Sequence, residues 1–188
     1  MSLQKMIQNY APQCEQETAD RERMLEYFAQ FPDLLTRSNP LCHFTASAWV
    51  TNPSRDKVLM VWHNIYKSWS WTGGHADGDS DLLRVAQREA QEETGVQDIR
   101  PLQREPISLE ILCVPAHVKR GKFISAHLHL NLTFLFCADD AQALAVKPDE
   151  NSGVNWFSPD EALAHSTEPD MLPIYRKCNA SLCRQARP

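Results

Sequence analysis

The sequence predicts an α/β protein in which a mixed sheet lies sandwiched between helices, behind an amino-terminal helical extension. Three observations carry that expectation. Residues 1–38 are polar and space their apolar side chains as a helix does. From Phe44 to about residue 72 the pattern changes to strand-like runs. An amphipathic stretch ending at Gly95 then separates these runs from further strands and helices. At 188 residues, 43% of them apolar, the chain suits one domain with a core of ordinary size.

In the first segment Met24, Leu25, Phe28 and Phe31 recur at spacings of three and four, and Pro32 and Ser38-Asn39-Pro40 mark the exit. FTASAWVT (44–51) is rich in small, β-branched and aromatic residues, and Asn52 to Asp56 reads as a turn. KVLMVWH (57–63) is a continuous apolar run, as expected of a strand buried on both faces. A short strand near 68–72 leads into Gly73-Gly74. In the helix that follows, Leu82, Leu83, Val85, Ala86 and Ala90 form the apolar face. Asp79 or Ser80 can cap its start, with Ser80 preferred, and Gly95 ends it. ISLEILCV (107–114) reads as strand and PAHVKRGK (115–122) as a basic loop. HLHLNLTFLF (127–136) alternates, with His127, His129, Asn131 and Thr133 on one face and leucines and Phe134 on the other. VNWF (154–157) is a short strand. Ser158-Pro159-Asp160-Glu161 combines an N-cap serine, a first-turn proline and a capping-box glutamate. Residues 170–184 read as a last helix.

A net charge of −5 argues against nucleic acid or an anionic membrane as the main partner. No apolar run approaches the roughly 18 residues of a bilayer span, and the amino terminus lacks a signal-peptide core, so a cytoplasmic location is expected. Six cysteines, at 14, 42, 113, 137, 178 and 183, form neither a CxxC pair nor a zinc pattern. They are expected to be reduced and mostly buried.

The chemistry concentrates in GGHADGDSDLLRVAQREAQEETGV (73–96), which holds six acids in 24 positions. Glu89, Glu92 and Glu93 fall within about 100° of one another along one edge of the apolar helix face. Like charges at that spacing repel, and Arg88 is one local counter-charge. A divalent cation would relieve the rest. Hard carboxylate oxygens favour magnesium or manganese, and such an ion lets acids approach a polyphosphate that they would otherwise repel. Asp77 to Asp81 begins like a calcium loop, but Leu82 and Arg88 stand where that loop requires glycine and glutamate.

Taken together, Gly74 and Arg88-Glu89-Ala90-Gln91-Glu92-Glu93-Thr94-Gly95-Val96 resemble the Nudix box. A chance match to the five specified residues between Arg88 and Gly95 is expected about once in ten thousand such chains. The resemblance implies a Nudix hydrolase domain over 41–188, an α/β/α sandwich, with residues 1–40 as the helical extension. It also implies hydrolysis of a phosphoanhydride bond in a nucleoside diphosphate derivative or nucleotide, supported by Mg2+ or Mn2+. Carried over, Glu89, Glu92, Glu93 and the backbone carbonyl of Gly73 hold metal. One of these three glutamates, or a carboxylate on another loop, serves as base, with Glu92 and Glu93 named as catalytic, and Arg88 orients the glutamates. Ser80 departs from the family, which has glutamate there, and Asp79 and Asp81 flank it.

Outside the box, Glu150 sits where an additional base or ligand is often carried. Gly74, His129 and Lys119 are candidates for substrate contact, Lys119 as part of a cluster with Arg120 and Lys122. His127 shares the His129 face. Substrate selection and homodimer formation are two roles open to the amino-terminal extension. Ser80 leaves one competing reading, a sensor that binds a nucleotide diphosphate without turnover. Cys42 and Cys113 lie in no motif for a third, isomerisation of a prenyl diphosphate.

Overall fold

The computed structural model describes residues 1–119 and 121–184. The helical arm is two helices, α1 (Leu3–Asn9) and α2 (Glu15–Gln30), because Ala11-Pro12 interrupts the backbone ladder between them. Strands β1 (Cys42–Thr51), β2 (Val58–His63), β3 (Ser68–Ser70) and β4 (Thr72–His75) follow. The sequence suggested one strand running up to the glycines. Instead β3 pairs with β2 and β4 with β1, and Gly73 and Gly74 lie inside β4.

Helix α3 (Leu82–Thr94) ends on Gly95, whose φ of 78° is the left-handed conformation that glycine adopts without a Cβ penalty. Beyond it come β5 (Ile99–Pro101), β6 (Ser108–Val114), β7 (His117–Lys119), β8 (Lys122–Ile124), β9 (His127–Ala138) and β10 (Asn151–Phe157). The expected basic loop is thus a hairpin, β7 against β8. Of the basic cluster, Arg120 and the Lys119 side chain lie outside the described residues. Helices α4 (Pro159–His165) and α5 (Leu172–Arg184) close the chain, α4 with the Ser158–Glu161 capping box formed.

The sheet runs β10-β2-β1-β9-β5, with β4 beside β1 and β6 beside β9. Its centre is the parallel pair β1 and β9, in register from Cys42 with Leu128 to Thr51 with Cys137, and every other pairing is antiparallel. Covered on both sides, β1 is buried at all ten positions. Its alternation sorts the core into two layers. Phe44, Ala46, Ala48 and Val50 pack in one cluster with Leu82, Val85, Ala86 and Ala90 of α3. Trp49 lies in the other with Met60, Phe157, Ala162 and Tyr175.

The arm belongs to the first cluster through Leu3, Ile7, Tyr10 and Met24. Its exit also grips the loop before α3. Arg37 donates twice to Asp77, at 2.8 and 2.6 Å, and the Gly78 amide donates to the Leu35 carbonyl at 2.8 Å. The six cysteines are unpaired, but only Cys42, Cys137 and Cys178 are buried, whereas Cys14, Cys113 and Cys183 are exposed. The expectation of mostly buried thiols therefore fails for half of them: Cys14 is the exposed residue before α2, Cys183 sits on the surface of α5, and Cys113 takes an exposed position of β6. No described helix is long and apolar enough to cross a membrane.

Candidate active site

The site forms where β4, α3 and the loop before β10 meet. Gly74 has no side chain because a Cβ there would lie 2.4 Å from the Glu89 Cδ. The Glu89 carboxylate occupies that space. One turn on, Glu93 is 4% exposed, and its Oε1 accepts a hydrogen bond from the Gly73 amide at 3.0 Å. The loop brings in Glu150, so that Glu89, Glu93 and Glu150 each place one oxygen within 4.8 Å of the others.

Burial, with Glu150 and Glu89 adding repulsion, pushes the Glu93 carboxyl up to about 8 against the pull of the Gly73 amide. Burial also raises Glu89, opposed by the Arg88 hydrogen bond at 3.2 Å. Glu92 stands outside this trio and is exposed. It is held by Lys147 at 3.1 Å and faces Arg88 at 3.8 Å. Lys147 also reaches Glu150, at 2.9 Å. Burial works against the Lys147 ammonium, but the hydrogen bonds to Glu150 and Glu92 outweigh it and hold its pKa above the ordinary range.

Ser80 is not the helix cap. Asp81 takes that place, its carboxylate accepting from the Arg84 amide at 3.3 Å, and Ser80 is an exposed loop residue one position earlier. A carboxylate is as good a cap as a hydroxyl and carries the charge that a helix start favours. Asp79 accepts twice from Arg84, at 3.0 and 2.9 Å, and lies 4.0 Å from Arg88. An acid thus sits near the box arginine from the position beside Ser80.

Two contributors escaped the sequence reading. Lys147 is three residues before Glu150, and that spacing was its one visible sign. Asn151 donates to the Glu93 carbonyl at 2.9 Å and accepts from the Lys147 amide at 3.2 Å, which joins the loop to the end of α3. No periodicity marks such an asparagine.

His129 lies apart from the trio, in a set of imidazoles with His43, His75 and His127. Burial, then the neighbouring His75 and His43, press its pKa down to about 2, so its ring is neutral.

Comparison with known proteins decides the family. Residues 43–178 match the NUDIX domain. The chain belongs to that family. As a member it is a hydrolase acting on acid anhydrides. Among solved structures it is similar to a NUDIX-family hydrolase from Clostridium perfringens, with a TM-score of 0.57 and 20% identity over 74% of this chain and 97% of that one. An Ap4A hydrolase from C. elegans matches with a TM-score of 0.56 and 17% identity over 75% and 98%. The E. coli dihydroneopterin triphosphate pyrophosphohydrolase matches with a TM-score of 0.54 and 11% identity over 73% and 95%. At these identities the likeness concerns the fold. No curated protein matches the chain in sequence.

Proposed function

We propose that this Nudix hydrolase is a metal-dependent pyrophosphohydrolase that cleaves a phosphoanhydride bond in a nucleoside diphosphate derivative or nucleotide. The gathering of Glu89, Glu93 and Glu150 beside the Gly73 backbone carries the reading. Three carboxylate oxygens this close suit magnesium or manganese. The fit is supported by Glu93: burial and the neighbouring Glu150 and Glu89 push its carboxyl up to about 8, a shift that a divalent cation among the three oxygens would reverse. When bound, the ion neutralises the polyphosphate and lowers the pKa of an attacking water.

The chain's own residues place the ligands. The Gly73 amide fixes one Glu93 oxygen and Arg88 one Glu89 oxygen. Lys147 holds Glu150 toward the trio and keeps Glu92 at its rim. Exposed and tethered there, Glu92 is assigned the proton-accepting role. The set of ligands in this reading is therefore Glu89, Glu93, Glu150 and the Gly73 carbonyl. Ap4A and dihydroneopterin triphosphate, named for two of the structural neighbours, both contain phosphoanhydride bonds, which supports that substrate class here. The sensor reading rests on Ser80, and Asp79 near Arg88 weighs against it. Six unpaired thiols support a cytoplasmic setting.

The test is a panel of dinucleoside polyphosphates, nucleoside diphosphate sugars and nucleoside triphosphates, incubated with and without magnesium and resolved by product. Magnesium-dependent release of phosphorylated products is expected. Binding of a panel member with no product after prolonged incubation would establish the sensor instead.

A further inference from the structure

Away from the carboxylates, four histidines converge at one end of the central strands. His43 is on β1, His75 on β4, and His127 and His129 on β9. The ladder sets them together, since His43 pairs with His129 and Thr45 with His75. The rings of His43, His75 and His129 form a nearly equilateral triangle, with centroids 5.1, 5.2 and 4.9 Å apart. One nitrogen from each lies within 4.8 Å of the other two. The His127 ring is 5.0 Å from both His43 and His129.

From this geometry we propose that His43, His75 and His129 bind one borderline divalent cation of the zinc class, with His127 as the nearest fourth donor. The tautomers of His43 and His127 agree with it. The His43 Nδ1 is 3.2 Å from the Asn39 carbonyl and the His127 Nδ1 is 2.9 Å from the Ser125 carbonyl. A carbonyl only accepts, so each Nδ1 carries the proton and each Nε2 presents a lone pair. Backbone carbonyls that orient imidazoles in this way are the usual outer shell of a histidine metal site.

The His43 Nε2 is buried, in a residue 5% exposed, with no hydrogen-bond partner among the described residues. A histidine placed only for packing would pair that nitrogen or turn it to water. The Nε2 atoms of His127 and His129 are 3.2 Å apart, a hydrogen bond in which His129 donates to the His127 lone pair, and an ion bound between these nitrogens takes the place of that proton. Tetrahedral zinc with Zn–N bonds of about 2.0–2.1 Å sets its ligand nitrogens about 3.3–3.4 Å apart. Imidazoles also select a different ion from the one that carboxylates select. The site is therefore distinct in chemistry from the magnesium site, although β4 carries both His75 and Gly73.

The full-length protein, stripped of metal and held in excess magnesium, is titrated with Co2+. One equivalent is expected to give intense tetrahedral d–d absorption that one equivalent of Zn2+ abolishes. His75→Gln and His129→Gln are expected to lose the band while keeping the wild-type circular dichroism, and Glu93→Gln is expected to keep it. Weak octahedral absorption in the wild type, or a band lost in Glu93→Gln, overturns the proposal. X-ray absorption of the zinc-loaded wild type needs no variant. At least three imidazole nitrogens are expected, and an oxygen-dominated shell refutes the site whatever the hydrolysis assay finds.

Discussion

Two groups of buried acids occur in this protein, and they are neutralised in opposite ways. Glu17 on α2 and Glu110 on β6 are 0% and 1% exposed, and they share the Lys177 ammonium from α5 at 2.8 and 3.1 Å. The Gln13 amide and the Ser108 hydroxyl also donate to Glu17, at 2.7 and 3.1 Å. Glu93 is buried almost as deeply, but the Gly73 amide that bonds it is uncharged, and Glu89 and Glu150 crowd it. The first group is balanced internally and ties α2, β6 and α5 together. In the second, Lys147 pairs with Glu150 and Arg88 with Glu89, while the bond to the buried Glu93 comes from an uncharged amide. A buried acid pair that shares one lysine reads as architecture, and a trio of carboxylates whose most buried member is bonded by an uncharged amide reads as a place for a cation.

Substitution should separate the two groups most strongly. Glu93→Gln is expected to lower magnesium-supported hydrolysis by about 10²–10⁴-fold, the scale of losing a central catalytic carboxylate. Lys177→Met strands two carboxylates in the interior. Urea unfolding should show a loss of about 3–5 kcal/mol, the usual result of removing one partner of a buried ion pair. The magnesium response of the remaining folded protein should not change. If Lys177→Met costs nothing, or Glu93→Gln hydrolyses as wild type does, the contrast between the groups is wrong.

A pH series sharpens the same contrast. The folded protein keeps the Glu93 proton up to about 8, whereas an unfolded chain loses it near the ordinary glutamate value of 4.5. The folded value is raised, so this contribution to stability is fully present below 4.5 and is lost as pH rises through about 8. Melting of metal-free protein should therefore weaken between about pH 5 and about pH 8.5, and saturating magnesium should stabilise more at the upper end. Glu93→Gln should flatten that slope. A slope of equal size in the variant would assign it to another group.

Smallest of all should be the effect of Ser80→Glu. Asp79 already lies 4.0 Å from Arg88, whose side chain is 43% exposed. Pairs so open to solvent contribute about 0.2–1 kcal/mol, so turnover should change by at most about fivefold. A larger gain would mean that Asp79 does not serve the arginine.

Much of this was legible in the chain. Local rules suffice for the Ser158–Glu161 cap, for Gly95 at the end of α3 and for the alternation of β9, because each depends on neighbours within a few residues. The box spacing likewise placed Glu89 and Glu93 on one helix edge. Other features were not local. PAHVKRGK reads as a loop because β7 and β8 are three residues each, too short for a periodic signal. Glu150 joins Glu89 and Glu93 from more than fifty residues away.

By itself the sequence determined the helix carrying the acids, the glycine at 95 that ends it, and the strand-rich frame around them, since propensity, capping and spacing are written in adjacent residues. Only the tertiary structure decided which acids meet and which lysine answers them. It moved Glu92 to the rim, gave Lys177 to Glu17 and Glu110, and drew four histidines from three strands into one cluster. The physical reason is that charge balance depends on distances across the fold, and these are set by strand register and helix packing.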